Sequence, residues 1–191
     1  MNDIKDLILD KAKERMERFG FRKTTMDEIS KDCSISKKTI YEHFADKEEL
    51  FGCLLYRECQ GTIRMLFDEP ADMPDPLEKL TLLIRRAVAY FNQDHFITRI
   101  LKDEEMFLAL VNTKYRKIID EEIITSIVRV IREGKQQGKL RDVDEQIVAY
   151  AGFRLFQSFS YARTWPLAGA GNEPYFTEVL VDFIINALQK K

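Results

Sequence analysis

Apolar side chains recur every three or four positions along most of this chain, with polar residues between them. That is the period of helices burying one stripe. Residues 3–19 place Ile4, Leu7, Ile8, Ala12 and Phe19 on one face and meet Gly20 as a stop. Thr25, followed three residues later by Glu28, predicts a capping box and a helix to about Asp32. Ser36 caps a further helix that ends near Phe44, and Asp46 with Glu49 opens a long one to about Phe67. Only Cys33, Ser34 and Ile35 join the second helix to the third, the tight connection of a helix-turn-helix.

The acidic, proline-rich stretch DEPADMPDP (68–76) then reads as a loop. Beyond it Leu80, Ile84, Ala87, Val88 and Phe91 fall at helical spacing, as do Tyr115, Ile119, Ile123, Ile127, Val130 and Ile131 in a helix ending among glycines and lysines. Segment 143–165 differs: between Ile147 and Tyr161 apolar residues occur all round the wheel, so this helix is expected to be buried on more than one side. After the loop PLAGAGNEP, a last helix over about 174–189 carries Phe176, Val179, Leu180, Phe183, Ile184, Ala187 and Leu188. The fold class is all-α, with domains expected at 1–46 (three helices with the helix-turn-helix) and 47–191 (the longer helices).

Composition changes this picture little. Eight glycines and five prolines in 191 residues agree with helices, and 45% hydrophobic content suffices for a full core. The start MNDIKDLILD mixes acids with apolar residues, unlike a signal peptide, and no apolar run reaches the roughly 18 residues that a membrane span requires. A cytoplasmic protein is expected, with Cys33, Cys53 and Cys59 as reduced thiols. The formal net charge is −2, and residues 1–47 hold 11 basic and 10 acidic side chains. Any binding to nucleic acid must therefore come from local placement of charge.

The third helix supplies such placement. ISKKTIYEHF (35–44) packs two lysines, a serine, a threonine, a tyrosine and a histidine around few large apolar residues. At about 100° per residue, Ile40 and Phe44 define the packed face. Lys38, Thr39 and Glu42 point outward, with Tyr41 on the flank. The N-terminal part of the second helix of a helix-turn-helix meets base edges; lysine suits guanine acceptors and the threonine methyl suits thymine. Glu42 reads either as an acceptor from cytosine N4 or as a repeller of the backbone that sharpens register.

The run FG·F·KTT···IS·····IS··TIYEHFADKEELF, from Phe19 to Phe51, resembles the TetR family of bacterial transcriptional regulators, and the all-helical remainder suits that family. The resemblance implies that Thr25, Tyr41 and Lys47 contact phosphates, that Lys37, Lys38 and Thr39 face the groove, and that His43 makes a further backbone contact. Where the family usually has glycine in the turn, this chain has Ser34. A left-handed residue other than glycine costs about 1–2 kcal/mol, so Ser34 is expected to take a different turn geometry. Ser30 stands where alanine is frequent, and Lys38 where glycine is common; the lysine is expected to alter base preference.

The resemblance further implies double-stranded operator DNA as partner, a small-molecule inducer bound by the later helices, and a homodimer through the last two helices. Two DNA half-sites require such a dimer. Gly152 would permit close helix approach there. Phe91, Phe107, Tyr115, Phe153, Arg154 and Phe156 are the candidate ligand-binding set, within an aromatic supply that also includes Phe96, Tyr150 and Phe159; any one of these aromatics also suits a plain core. Arg154, in an apolar stretch, reads as holding a ligand carboxylate or as pairing with an acid across the dimer. GKQQGKL fails as a phosphate loop, being one residue short between its glycines and carrying Leu140 where Ser or Thr is needed. No dinucleotide or nucleophile-elbow motif occurs, His95 stands alone, and Cys33 with His43 has no pocket around it, so neither catalysis, a cofactor nor a metal is expected.

Overall fold

The structure is a computed structural model, and it describes residues 3–67, 73–111, 113–161 and 173–190. The described residues form α1 (Asp3–Phe19), α2 (Met26–Asp32), α3 (Lys37–His43), α4 (Lys47–Phe67), α5 (Pro76–Asn92), α6 (Phe96–Lys102), α7 (Glu104–Val111), α8 (Lys114–Gln136), α9 (Glu145–Tyr161) and α10 (Glu173–Leu188). Much of both expected loops, at 68–72 and 166–172, lies outside the described residues, as do the end of segment 143–165 and the side chains of Phe159 and Phe176.

Two compact units emerge: residues 1–61 with 94–119, and residues 62–93 with 120–191. This partition departs from a boundary at 46/47. The reason is the core of the first unit, which takes Leu50, Phe51, Leu54 and Leu55 from α4 and Phe96, Ile100, Met106 and Leu110 from α6 and α7. The pattern of the sequence placed no element between 92 and 114, because α6 and α7 are each too short to show a period clearly.

In the first unit the local signals act as expected. The Thr25 hydroxyl accepts from the Glu28 N–H at 3.3 Å, while the Glu28 carboxylate accepts from the Thr25 N–H at 3.0 Å, completing the capping box. The Ser36 hydroxyl caps α3 by accepting from the Thr39 N–H, and Asp46 accepts from the Glu49 N–H at 2.6 Å. Gly20, at φ +82°, ends α1 as expected.

Two expectations are corrected here. The core face of α1 is Ile8, Leu9, Ala12 and Met16, whereas Ile4, Leu7 and Phe19 are well exposed. The Phe19 ring instead lies beneath the guanidinium groups of Arg15 and Arg18. Ser34 takes the left-handed conformation after all, at φ 56°. Its N–H donates to the Lys31 carbonyl and the Ile35 N–H to the Ser30 carbonyl, both at 3.0 Å, which is the Schellman ending of a helix. That pair of bonds and the packing of Ile35 on the core demand a left-handed residue and outweigh the strain.

The second unit gathers Leu66, Phe67, Leu80, Leu83, Val128, Val130, Ile131, Leu140, Ala149 and Leu188. Buried Lys79 is neutralised by Glu133 at 2.9 Å. α8 also closes in a Schellman ending, with glycine at the left-handed place: Gly138 has φ +69°, its N–H reaches the Lys135 carbonyl, and the Lys139 N–H reaches the Gly134 carbonyl. GKQQGKL is thus the end of a helix. The chain end is tied beside it, with the Arg141 N–H donating to the Leu188 carbonyl and the Lys190 N–H to the Lys139 carbonyl, each at 2.9 Å. Within the single chain, α9 buries Ala149 and Phe153 but leaves Ile147 at 67% and Tyr150 at 50% exposure. The expected burial on more than one side is absent here, because nothing described in the chain packs against that face.

Candidate functional site

The two-helix reader is built from α2 and α3. Ile29 of α2 and Ile40 of α3 are completely sealed from solvent, so the third helix is fixed by its apolar face and its polar face is left outward. Arg15 of α1 braces α2, reaching Asp32 at 2.6 Å and Glu28 at 3.1 Å. The Thr25 hydroxyl and amide bonds, aided by Arg15, hold the Glu28 carboxyl below its ordinary range, so the cap is charged at neutral pH.

The outward residues fall into two groups. Lys38 is the most exposed, its side chain 88% exposed and paired with the Glu42 carboxylate one turn on at 3.9 Å. Tyr41 is half exposed. The others are engaged. Lys37 forms an ion pair with Asp27 of α2, and the Thr39 hydroxyl bonds that of Ser36 at 2.8 Å. Thr25 uses its hydroxyl in the capping box, and His43 is half-buried in the last turn of α3. The Lys47 ammonium donates to the Phe21 carbonyl at 2.9 Å and sits 4.2 Å from the Phe21 ring centroid. A cation in the first turn of a helix is disfavoured by the dipole, and Phe21 supplies the compensation. This bracing of Lys47 was not visible in sequence, because Phe21 lies 26 residues away.

Cys33 is buried, its thiol pushed to a higher pKa chiefly by burial, so it is a poor nucleophile.

The candidate ligand-binding residues divide between the units. Phe91 and Phe156 meet in the second unit with ring centroids 5.5 Å apart and nearly edge to face, and Tyr90 flanks Phe91 at the same distance. Phe153 is buried on α9, one turn before Phe156. Phe107 and Tyr115 belong to the first unit. Tyr115 lies against Gly52, its hydroxyl 2.9 Å from the Cys53 sulfur, and that bond together with burial raises its pKa. Arg154 needs neither a ligand nor a second subunit as partner: it reaches Asp120 at 3.2 Å and Gln157 at 2.7 Å and covers the rings of Tyr150 and Phe153. Sequence reasoning missed a groove of about 400 Å³ lined by Glu121, Ile124, Thr125, Gln146, Ile147 and Tyr150. Its one available signal was the presence of Ile147 and Tyr150 among the apolar residues found all round α9.

Residues 8–53, from the core face of α1 to the first turns of α4, match the family described as bacterial regulatory proteins, tetR family. The N-terminal domain is that of the TetR family. Similarity to other proteins extends beyond that domain. The uncharacterized HTH-type transcriptional regulator YhgD of Bacillus subtilis is 25% identical over 155 residues, 81% of each chain. The nucleoid occlusion factor SlmA of Vibrio cholerae is 28% identical over 137 residues, 68% of this chain and 67% of that one. A TetR-family transcriptional regulator from Pectobacterium atrosepticum has the same fold, with TM-score 0.80 at 18% identity over 100% of this chain and 96% of that one. SmeT, the repressor of a Stenotrophomonas maltophilia multidrug efflux pump, superposes in its triclosan complex with TM-score 0.71 at 19% identity, covering 99% and 93%. The chain thus joins an N-terminal domain that matches the tetR family to longer helices, in a fold shared with the solved structures above. No described helix is long and apolar enough to cross a membrane.

Proposed function

We propose that this protein is a homodimeric repressor of the TetR family, released from its operator by a small, largely apolar ligand. Lys37, Lys38 and Thr39 face the bases, and Thr25, Tyr41, His43 and Lys47 hold the DNA backbone. The observation that carries the ligand half of this reading is the Phe91–Phe156 pair, whose rings meet in the second unit yet stay only half-buried. Half-buried aromatic rings inside a helical unit offer stacking surface to an apolar guest. The triclosan complex of SmeT supports the same class of ligand. The dimer rests on the exposed apolar residues of α9 and α10, among them Ile147, Tyr150, Val179 and Phe183, and on Gly152, where an added Cβ would meet nothing within the chain.

Duplexes selected from a randomised library by the full-length protein would supply the operator, and a metabolite and drug library would then be titrated against the labelled complex. Release by an apolar compound is expected, with Phe156→Ala weakening the response and leaving ligand-free DNA binding intact. By linkage, operator must weaken ligand binding by the same factor. A second reading, a DNA-binding protein without a small-molecule inducer, draws on the likeness to a nucleoid occlusion factor. It replaces the first if no compound releases the operator.

A further inference from the structure

Both lysines at the start of the reading helix have a carboxylate of their own. Lys37 pairs with Asp27 on α2, and Lys38 lies 3.9 Å from Glu42 on α3. All four side chains are well exposed, at 64% and 44% in the first pair and 88% and 58% in the second. This arrangement stands in a segment, residues 1–47, whose 11 bases and 10 acids leave almost no bulk positive field. We propose that Asp27 and Glu42 are specificity-determining residues, which hold Lys37 and Lys38 off DNA in general and release them to matching bases. The proposal rests on the DNA-binding reading above.

The physical basis is a competition. Non-specific affinity comes from lysines that neutralise phosphates and release counterions. A lysine already neutralised by its own carboxylate displaces no counterion and gains little by moving to a solvated phosphate. An exposed ion pair is nevertheless weak. A two-point contact to guanine O6 and N7 is stronger, so the matching base can draw the lysine away. The acids therefore lower affinity for arbitrary sequence more than for operator, which is discrimination by a built-in competitor. Asp27 acts across helices, from the first turn of α2 onto the first turn of α3. Glu42 acts along α3, one turn beyond Lys38.

The test uses full-length protein and two labelled duplexes of equal length, one carrying the motif recovered by selection and one scrambled. Affinity is followed from about 50 to 200 mM salt. Asp27→Asn and Glu42→Gln are each expected to tighten binding to the scrambled duplex by about twofold to fivefold and to steepen its salt slope by about one unit. Binding to the selected duplex should change less, so the ratio falls. In a Lys37→Ala background the Asp27→Asn effect should vanish. Equal tightening on both duplexes, unchanged slopes, or an Asp27→Asn effect that survives without Lys37 overturns the proposal. A changed selected motif in Glu42→Gln makes Glu42 a reader of bases and overturns its part. Asp27→Ser, checked by circular dichroism, serves as the second variant. If wild-type protein prefers no selected duplex over the scrambled one, the DNA-binding reading itself has failed, an outcome distinct from a mutant ratio that does not move.

Discussion

The two compact units are built from similar helices but seal their interiors differently. Among the described residues, the largest side chains shut off completely from water include Ile8, Met16, Ile29, Ile40, Phe44, Leu50, Phe51, Leu54, Leu55 and Ile100 in the first unit, against Ile131 and Leu180 in the second. Among the described large apolar side chains, the second unit leaves Ile147, Tyr150, Tyr175 and Phe183 at half exposure or more, against Tyr41 and Leu108 in the first. The contrast follows the demands on each. A reading helix must be held at a fixed angle, which close packing provides. A unit proposed to admit a guest and a second subunit keeps apolar surface in reserve, which stabilises the chain only when covered.

The comparison breaks most sharply at Phe51, fully buried with its ring 4.8 Å from that of Phe21. Phe51→Ala is expected to cost about 3–5 kcal/mol in chemical denaturation followed by circular dichroism. A cost under 1 kcal/mol, on the order of an exposed site, would show that the first unit is not tightly packed. Next in size is the double substitution Ile147→Asp with Phe183→Asp. It should leave the helical content intact and weaken self-association by about 2–3 kcal/mol, read as a shift toward monomer in sedimentation velocity. An unchanged species would remove α9 and α10 from the proposed interface.

Gly52→Ala probes the first unit where α4 meets the start of α8, since an added Cβ would press into the Tyr115 ring. The ring must move, and a loss of about 1–3 kcal/mol is expected in thermal melting. Ser34→Gly should act in the opposite direction. Relief of the left-handed strain at φ 56° should exceed the added freedom of the unfolded chain and stabilise by about 0.5–1 kcal/mol. An unshifted melting temperature would mean that the added freedom of the unfolded chain cancels the relieved strain.

The smallest effect is pH-dependent. The Glu28 carboxyl sits below its ordinary 4.5, so its contribution is complete above that value and is lost as pH falls through the lower folded value. Glu28→Gln should therefore melt slightly lower than the wild type near neutrality and converge with it below pH 4.5, where the carboxylate's contribution is lost. Equal acid sensitivity in both proteins would place the effect elsewhere.

Sequence alone was enough for features whose partners lie within one turn. The Thr25–Glu28 box, the Ser36 cap, the Asp46–Glu49 start and the stop at Gly20 all join residues three or four apart, so their chemistry is written in spacing. The helix-turn-helix and its outward polar residues follow from the same rule. Other assignments depended on residues far along the chain. Which stripe of α1 is core was settled by what packs against it, so Leu9 and Met16 displaced Ile4 and Phe19. Arg154 found Asp120 at 34 residues' distance, Lys47 found the Phe21 carbonyl at 26, and Lys37 found Asp27 at ten. Ser34 kept a conformation that its side chain disfavours because two hydrogen bonds and the packing of Ile35 outweighed a local cost. Local propensities are worth fractions of a kcal/mol to about one each, whereas burial and ion pairing depend on neighbours that only the folded chain brings together.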